Sequence, residues 1–140
     1  MRYLGLDIGD KRIGIALSDE SATIASPLTV YKRQKSLVMD IEYIKRLVVE
    51  KQASAIVVGV PYALSGRVTI QTQKVLSFVE SLKKAVTIEV RLFDERFSTQ
   101  AAERVLIDAD MSRKKRKKVI DTVAAAYILQ GFLDMMKNRE

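Results

Sequence analysis

The stretch LGLDIGDKRIGIALS, residues 4–18, leaves the chain little choice of local fold. Alternation puts Leu4, Leu6 and Ile8 on one face and Gly5 with Asp7 on the other. After the turn Gly9-Asp10-Lys11-Arg12, Ile13, Ile15 and Leu17 alternate in the same way with Gly14, Ala16 and Ser18. A period of two on both sides of a glycine-containing turn predicts a β-hairpin with strands at about 2–8 and 12–18. Asp7 is the anomaly, because aspartate is a poor strand residue and here it lies inside the pattern. The face it occupies is otherwise glycine and alanine, which leaves room beside the acid for a helix, a metal ion or a substrate backbone.

The rest of the chain extends this hairpin into a layered α/β domain. A third strand is expected at 23–30, with Pro27 confining it to a sheet edge. Leu37, Ile41, Ile44, Leu47 and Val48 form one helical stripe, and the continuous apolar run AIVVGV at 55–60 reads as a strand buried on both faces. A second helix at about 69–84 carries Val75, Phe78, Val79 and Leu82 at core spacing, and VTIEVRLF at 86–93 is a fifth strand. Ser98 or Thr99 can cap a third helix containing Ala101, Ala102, Val105 and Leu106, and a last helix is expected from after Ser112 to about Lys137. Strands alternating with crossover helices imply a five-stranded mixed sheet, order 3-2-1-4-5, flanked by α-helices in a single domain over 1–140.

Composition narrows the chemistry. At 140 residues and 48% apolar content the chain can bury a core without disulfides. It has no cysteine and no histidine, which removes thiol nucleophiles, zinc ribbons and the usual general base, so acid-base or metal chemistry must use carboxylates. No apolar run approaches the ~18 residues of a membrane span and no signal-peptide layout precedes the first strand, so the expected location is cytoplasmic. A net charge of +7 favours an anionic partner.

Three acids stand out. Asp7 can serve as a turn-flanking acceptor, and Glu95, directly after the fifth strand, can simply favour a helix start. Asp121 shares a helical stripe with Ala124, Ala125, Ile128 and Phe132, where a carboxylate is costly unless it is paired, hydrogen-bonded or bound to a cation. Jointly the three are harder to explain as structural. Strands one and five lie about 9.5 Å apart at roughly 4.8 Å per step, a gap that a glutamate leaning back can partly cover. Three carboxylates would make an all-oxygen site suited to Mg²⁺ or Mn²⁺. The run Arg113, Lys114, Lys115, Arg116, Lys117, Lys118 opens a helix, where cations oppose the macrodipole and repel one another. Phosphate contacts would offset that cost, with Lys11 and Arg12 as weaker candidates in the hairpin turn. Few aromatics, 6% of the chain, argue against extensive base stacking.

At LGLDIGDKRIGIALSD, VVGVP, FDERFST and SRKKRKKVIDTVAAAYILQ the chain resembles the YqgF-type family of the RNase H-like superfamily. That family is described as Holliday junction resolvases and as nucleases maturing the 5′ end of 16S ribosomal RNA. The resemblance implies an RNase H-like fold and carries an acidic triad onto Asp7, Glu95 and Asp121. It implies a metal-dependent nuclease acting on structured nucleic acid, with pre-rRNA favoured over branched DNA, for which two active sites and hence a dimer would be needed. One segment departs: Tyr62-Ala63-Leu64-Ser65-Gly66 stands where the family's loop usually reads like LNMDG.

Two other readings compete. DIGDKRIG also looks like the phosphate-cradling turn of the sugar kinase, actin and heat-shock ATPase superfamily, but those proteins use two such lobes and no Walker P-loop is present here. A non-catalytic nucleic-acid-binding regulatory module would bind without metal and without cleavage.

Overall fold

The computed structural model describes residues 1–98 and the helix 113–138, the side chains of 113–122 excepted. The elements run β1 (Tyr3–Ile8), β2 (Arg12–Ser18), β3 (Ala25–Lys32), α1 (Leu37–Glu50), β4 (Ala55–Val60), α2 (Ile70–Ala85), β5 (Glu89–Asp94), a 3₁₀ turn (Glu95–Phe97) and α3 (Arg113–Asn138). The five strands form one sheet in the order β3-β2-β1-β4-β5. β1 pairs antiparallel with β2, β2 with β3 likewise, and β4 runs parallel to both β1 and β5. This is the mixed sheet expected from the sequence. The helix expected around residues 101–106 lies outside the described residues.

The alternation in the hairpin separates two cores. Leu4, Leu6, Ile8, Ile13, Ile15, Ile56 and Val58 point toward α1 and α2, where they meet Ile41, Ile44, Leu47, Val75, Phe78, Val79 and Leu82. Each such aliphatic side chain contributes about 1.5–3 kcal/mol through burial. On the opposite face Tyr3, Ala16, Ala55, Val57 and Phe93 pack against Ala125, Ile128, Leu129, Phe132 and Leu133 of α3. Glycine and alanine stand among the larger residues of that face, and at Gly5 the helix comes close: a Cβ added there would lie 2.8 Å from Leu129 Cβ.

The bounds of β3 and β5 differ from expectation, and β3 also runs on to Lys32 past residue 30. Strand β3 begins at Ala25 rather than residue 23 because Asp19 organises the preceding turn, its carboxylate accepting from the backbone amides of Thr23 and Ile24. The Ser21 hydroxyl and those amides lower the Asp19 pKa to about 2. Strand β5 begins at Glu89, three residues later than the apolar run suggests. Pro27 does lie on an edge strand, beside a register shift at Ile15/Ala16. Gln130 of α3 fastens this edge, accepting from the Ala25 amide and donating to the Thr23 carbonyl.

A buried acid ties the hairpin turn to α1. Asp40, 1% exposed, accepts from Arg33 Nε, the Tyr31 hydroxyl and the Gln34 amide, each at 2.9 Å. Burial, reinforced by the Asp40 carboxylate, pushes the Tyr31 pKa above its ordinary value, so the hydroxyl remains a donor. Arg33 Nη1 continues to the Gly9 carbonyl at 3.0 Å. Asp40→Ala should lower the unfolding free energy by about 3 kcal/mol, because it leaves a half-buried guanidinium and a phenol without their acceptor. A lower urea midpoint at unchanged m-value is the expected observation; an unchanged midpoint would refute it.

Candidate active site

The carboxyl ends of β1, β4 and β5 lie side by side, the region where open α/β sheets present ligand-binding groups. Asp7 sits there on the α3 face, opposite Gly14 of β2. It is the only residue of β1 that is half-buried, its five companions being buried. Asp7 therefore reaches the rim of the core without being sealed inside it.

Glu95 reaches the same rim from the other side. β5 ends at Asp94, and the 3₁₀ turn Glu95–Phe97 lifts the chain off the sheet with Ser98 closing the turn onto the Glu95 carbonyl. Leu6 pairs with Val58 across β1 and β4, so the next step of the register sets Gly59 beside Asp7. On its other flank Gly59 pairs with Phe93. A Cβ placed on Gly59 would lie 2.9 Å from Glu95 Oε1 and 2.5 Å from Ile128 Cδ1. The glutamate thus lies back over the middle strand, one strand spacing from Asp7, in the space that a missing side chain leaves.

Gly59 was not among the residues singled out from sequence. Its signal was a lone glycine in the run AIVVGV, where strand glycine marks a close approach of another group. Asp121 belongs to α3, one turn before Ala125, but its side chain lies outside the described residues. The same is true of the side chains of Arg113, Lys114, Lys115, Arg116, Lys117 and Lys118, whose backbone forms the first turns of that helix. Lys11 is exposed in the hairpin turn and Arg12 is half-buried at the start of β2. Among the described residues no three potential metal ligands cluster; Asp7 and Glu95 lie on either side of Gly59. Both are carboxylates in a chain without histidine or cysteine, a donor set that fits a hard divalent cation.

Arg96, also missed from sequence, braces the loop beside these acids. Its guanidinium donates to both carboxylate oxygens of Asp94, with Nη2 to Oδ2 at 2.6 Å, and Nη1 reaches the Leu64 carbonyl at 3.4 Å. The hydrogen bonds from Arg96 hold the Asp94 pKa below the usual carboxylate range. No helix among the described residues is long and apolar enough to cross a membrane.

The strand order, the helices on both faces and the acids at the carboxyl ends define an RNase H-like α/β protein, and comparison with known proteins gives the family. The sequence profile of RuvX, described as Holliday junction resolvase, matches residues 1–135, and the chain belongs to that family. A protein of Thermoanaerobacter pseudethanolicus named "Putative pre-16S rRNA nuclease" is 51% identical over 140 residues, covering 99% of this chain and 100% of its own. A Clostridium botulinum protein of the same name is 46% identical over 136 residues, 97% of this chain and 98% of its own. Among solved structures, Thermus thermophilus RuvC in complex with Holliday junction substrate superposes with a TM-score of 0.61 at 13% identity, covering 97% and 96% of the two chains. At that identity the superposition speaks for the fold.

Gly59→Ala should destabilise the protein by about 1–3 kcal/mol, since the new methyl overlaps Ile128 and Glu95. Adding Ile128→Val, which removes the 2.5 Å partner, should recover part of the lost melting temperature. Equal melting temperatures for wild type and Gly59→Ala would show that the helix and the acid do not depend on this gap.

Proposed function

We propose that residues 1–140 form a single metal-dependent nuclease domain that hydrolyses phosphodiester bonds, processing the 5′ end of pre-16S ribosomal RNA. The observation that carries this reading is the convergence of Asp7 and Glu95 across Gly59 at the carboxyl ends of the strands. The names of the close relatives support the RNA substrate. The family description supports the second reading, cleavage of four-way DNA junctions.

Asp121 is the third ligand in this proposal, and the direction of α3 supports it. Phe132 meets Tyr3 edge-on at 5.6 Å, while Ala125 and Leu129 meet Gly5, so moving back along α3 follows β1 toward its carboxyl end. From Ala125 to Asp121 is about 6 Å along the helix. From Gly5 to Asp7 is about 6.6 Å along the strand, a matching step.

Asp7, Glu95 and Asp121 would hold Mg²⁺ or Mn²⁺. Such an ion supplies positive charge against the scissile phosphate and helps ionise an attacking water. Asp7, on a rigid central strand, fixes one side of the site; Glu95, on a turn after an edge strand, closes the other. Lys114, Lys115, Arg116 and Lys117, with Arg113 and Lys118, would hold backbone phosphates a turn or two before Asp121. Lys11 and Arg12 approach the same strand from the hairpin turn.

The deciding experiment compares a labelled 5′-extended 16S precursor RNA with a synthetic four-way DNA junction, in Mg²⁺, Mn²⁺ or EDTA. Metal-dependent cleavage by wild type and none by Asp7→Asn is expected, with folding and binding nearly intact in the variant. An Asp7→Asn protein that cuts normally, or does not fold, would refute the ligand role. Binding without metal-dependent cleavage of either substrate would favour the regulatory module. Replacing Lys114, Lys115, Arg116 and Lys117 with glutamine should weaken binding across sequences and flatten its dependence on salt. An unchanged salt slope would make the run an ordinary solvated helix surface.

A further inference from the structure

The loop after β4 and the turn after β5 build an aromatic surface beside Glu95 that the cleavage chemistry does not use. Arg96 Cζ lies 5.7 Å from the ring centroids of both Tyr62 and Phe97. The guanidinium is held in place by Asp94, and its Nη1 would be 3.2 Å from a Cβ at Gly66, whose φ of +89° bends the loop around it. Phe97 is nevertheless 71% exposed, and Leu64, in the same loop, is 94% exposed. A large aromatic ring left in water next to a fixed cation contributes little to folding. Its π-face and the guanidinium plane are the surfaces on which proteins stack unpaired bases. Arg67, exposed in the same loop, offers charge for the adjoining phosphate.

We infer that Tyr62, Arg96 and Phe97 form a stacking site for one unpaired nucleobase next to the scissile phosphate, so that the protein prefers a nucleic acid that is splayed open at the cut. This rests on the nuclease reading and adds to it which structural feature of the substrate is recognised. Phe97 is the outer face of the site, while Asp94 and the Leu64 carbonyl fix Arg96 beneath it. A single such site agrees with the low aromatic content, since it takes one base and leaves the remaining affinity to phosphate contacts.

The test uses a forked RNA duplex carrying 5-iodouridine at the first unpaired position, and a fully paired duplex of the same length, both in EDTA. The wild type should bind the fork about tenfold more tightly than the duplex, within the range base stacking supplies. Irradiation should crosslink the iodouridine to a peptide containing Tyr62 or Phe97. Phe97→Ala should bring fork affinity down to that of the duplex, with duplex affinity, salt slope and melting temperature unchanged; Phe97→Trp should keep the preference. Equal losses on both substrates, or crosslinks only elsewhere, would overturn the site. Fork preference that depends on Phe97 without metal-dependent cleavage would instead refute the nuclease reading alone, and Asp7-dependent cleavage without fork preference would refute the stacking site alone.

Discussion

The architecture depends on how closely α3 can lie against the sheet. Helix-to-sheet packing is ordinarily set by the side chains between them, and on this face a side chain is missing at three close approaches: Gly5 and Gly59 on the strands, Gly131 on the helix against Phe93. A side chain at Gly5 would collide with the Leu129 Cβ, which is fixed to the helix backbone, and one at Gly59 with the Ile128 side chain. Bringing the helix down this far removes the depth in which polar side chains would be buried and brings backbone near backbone. It also sets the level of the rim at which Asp7 and Glu95 emerge.

The two faces of the sheet therefore have different duties. Toward α1 and α2, large aliphatic side chains fill an ordinary core and supply most of the burial that keeps the chain folded. Toward α3, a smaller core is packed closely around glycines, and what is gained besides burial is placement. The same middle strand serves both, because Val58 faces one way and Gly59 the other. Splitting stability and placement between opposite faces lets an acid occupy a strand without costing the aliphatic core anything.

Much of this could be read from the chain, because period-two alternation and helical stripes record burial directly. The hairpin strand and Asp7's position follow from Leu4, Leu6 and Ile8 against Gly5 and Asp7, and the mixed sheet from strands alternating with crossover helices. The shift of β3 could not be read so easily, since it comes from hydrogen bonds that Asp19 makes to amides four and five residues on, a local competition that hydropathy does not register. Gly59 was hidden for a different reason. In a continuous apolar run a glycine looks like one more small residue, and only the arrival of Glu95 and Ile128 from distant segments shows what it makes room for. Arg96 was opaque for the same cause: a cation in DERF carries no periodicity, and its partners lie both next door and thirty-two residues away.

The hairpin turn at Gly9 has the composition of a mobile surface loop, yet it is not anchored like one. Its carbonyl is held by Arg33, Arg33 by Asp40, and Asp40 lies in the first turn of α1 beneath the surface, while the Arg33 guanidinium also rests over the Phe78 ring of α2 at 5.2 Å. Opening the turn outward would pull an ion pair out of a core edge shared by two helices. The backbone beside Asp7 thereby inherits the opening free energy of the helical layer on the far side of the sheet, and its amide exchange should follow that layer instead of the fast exchange typical of exposed turns.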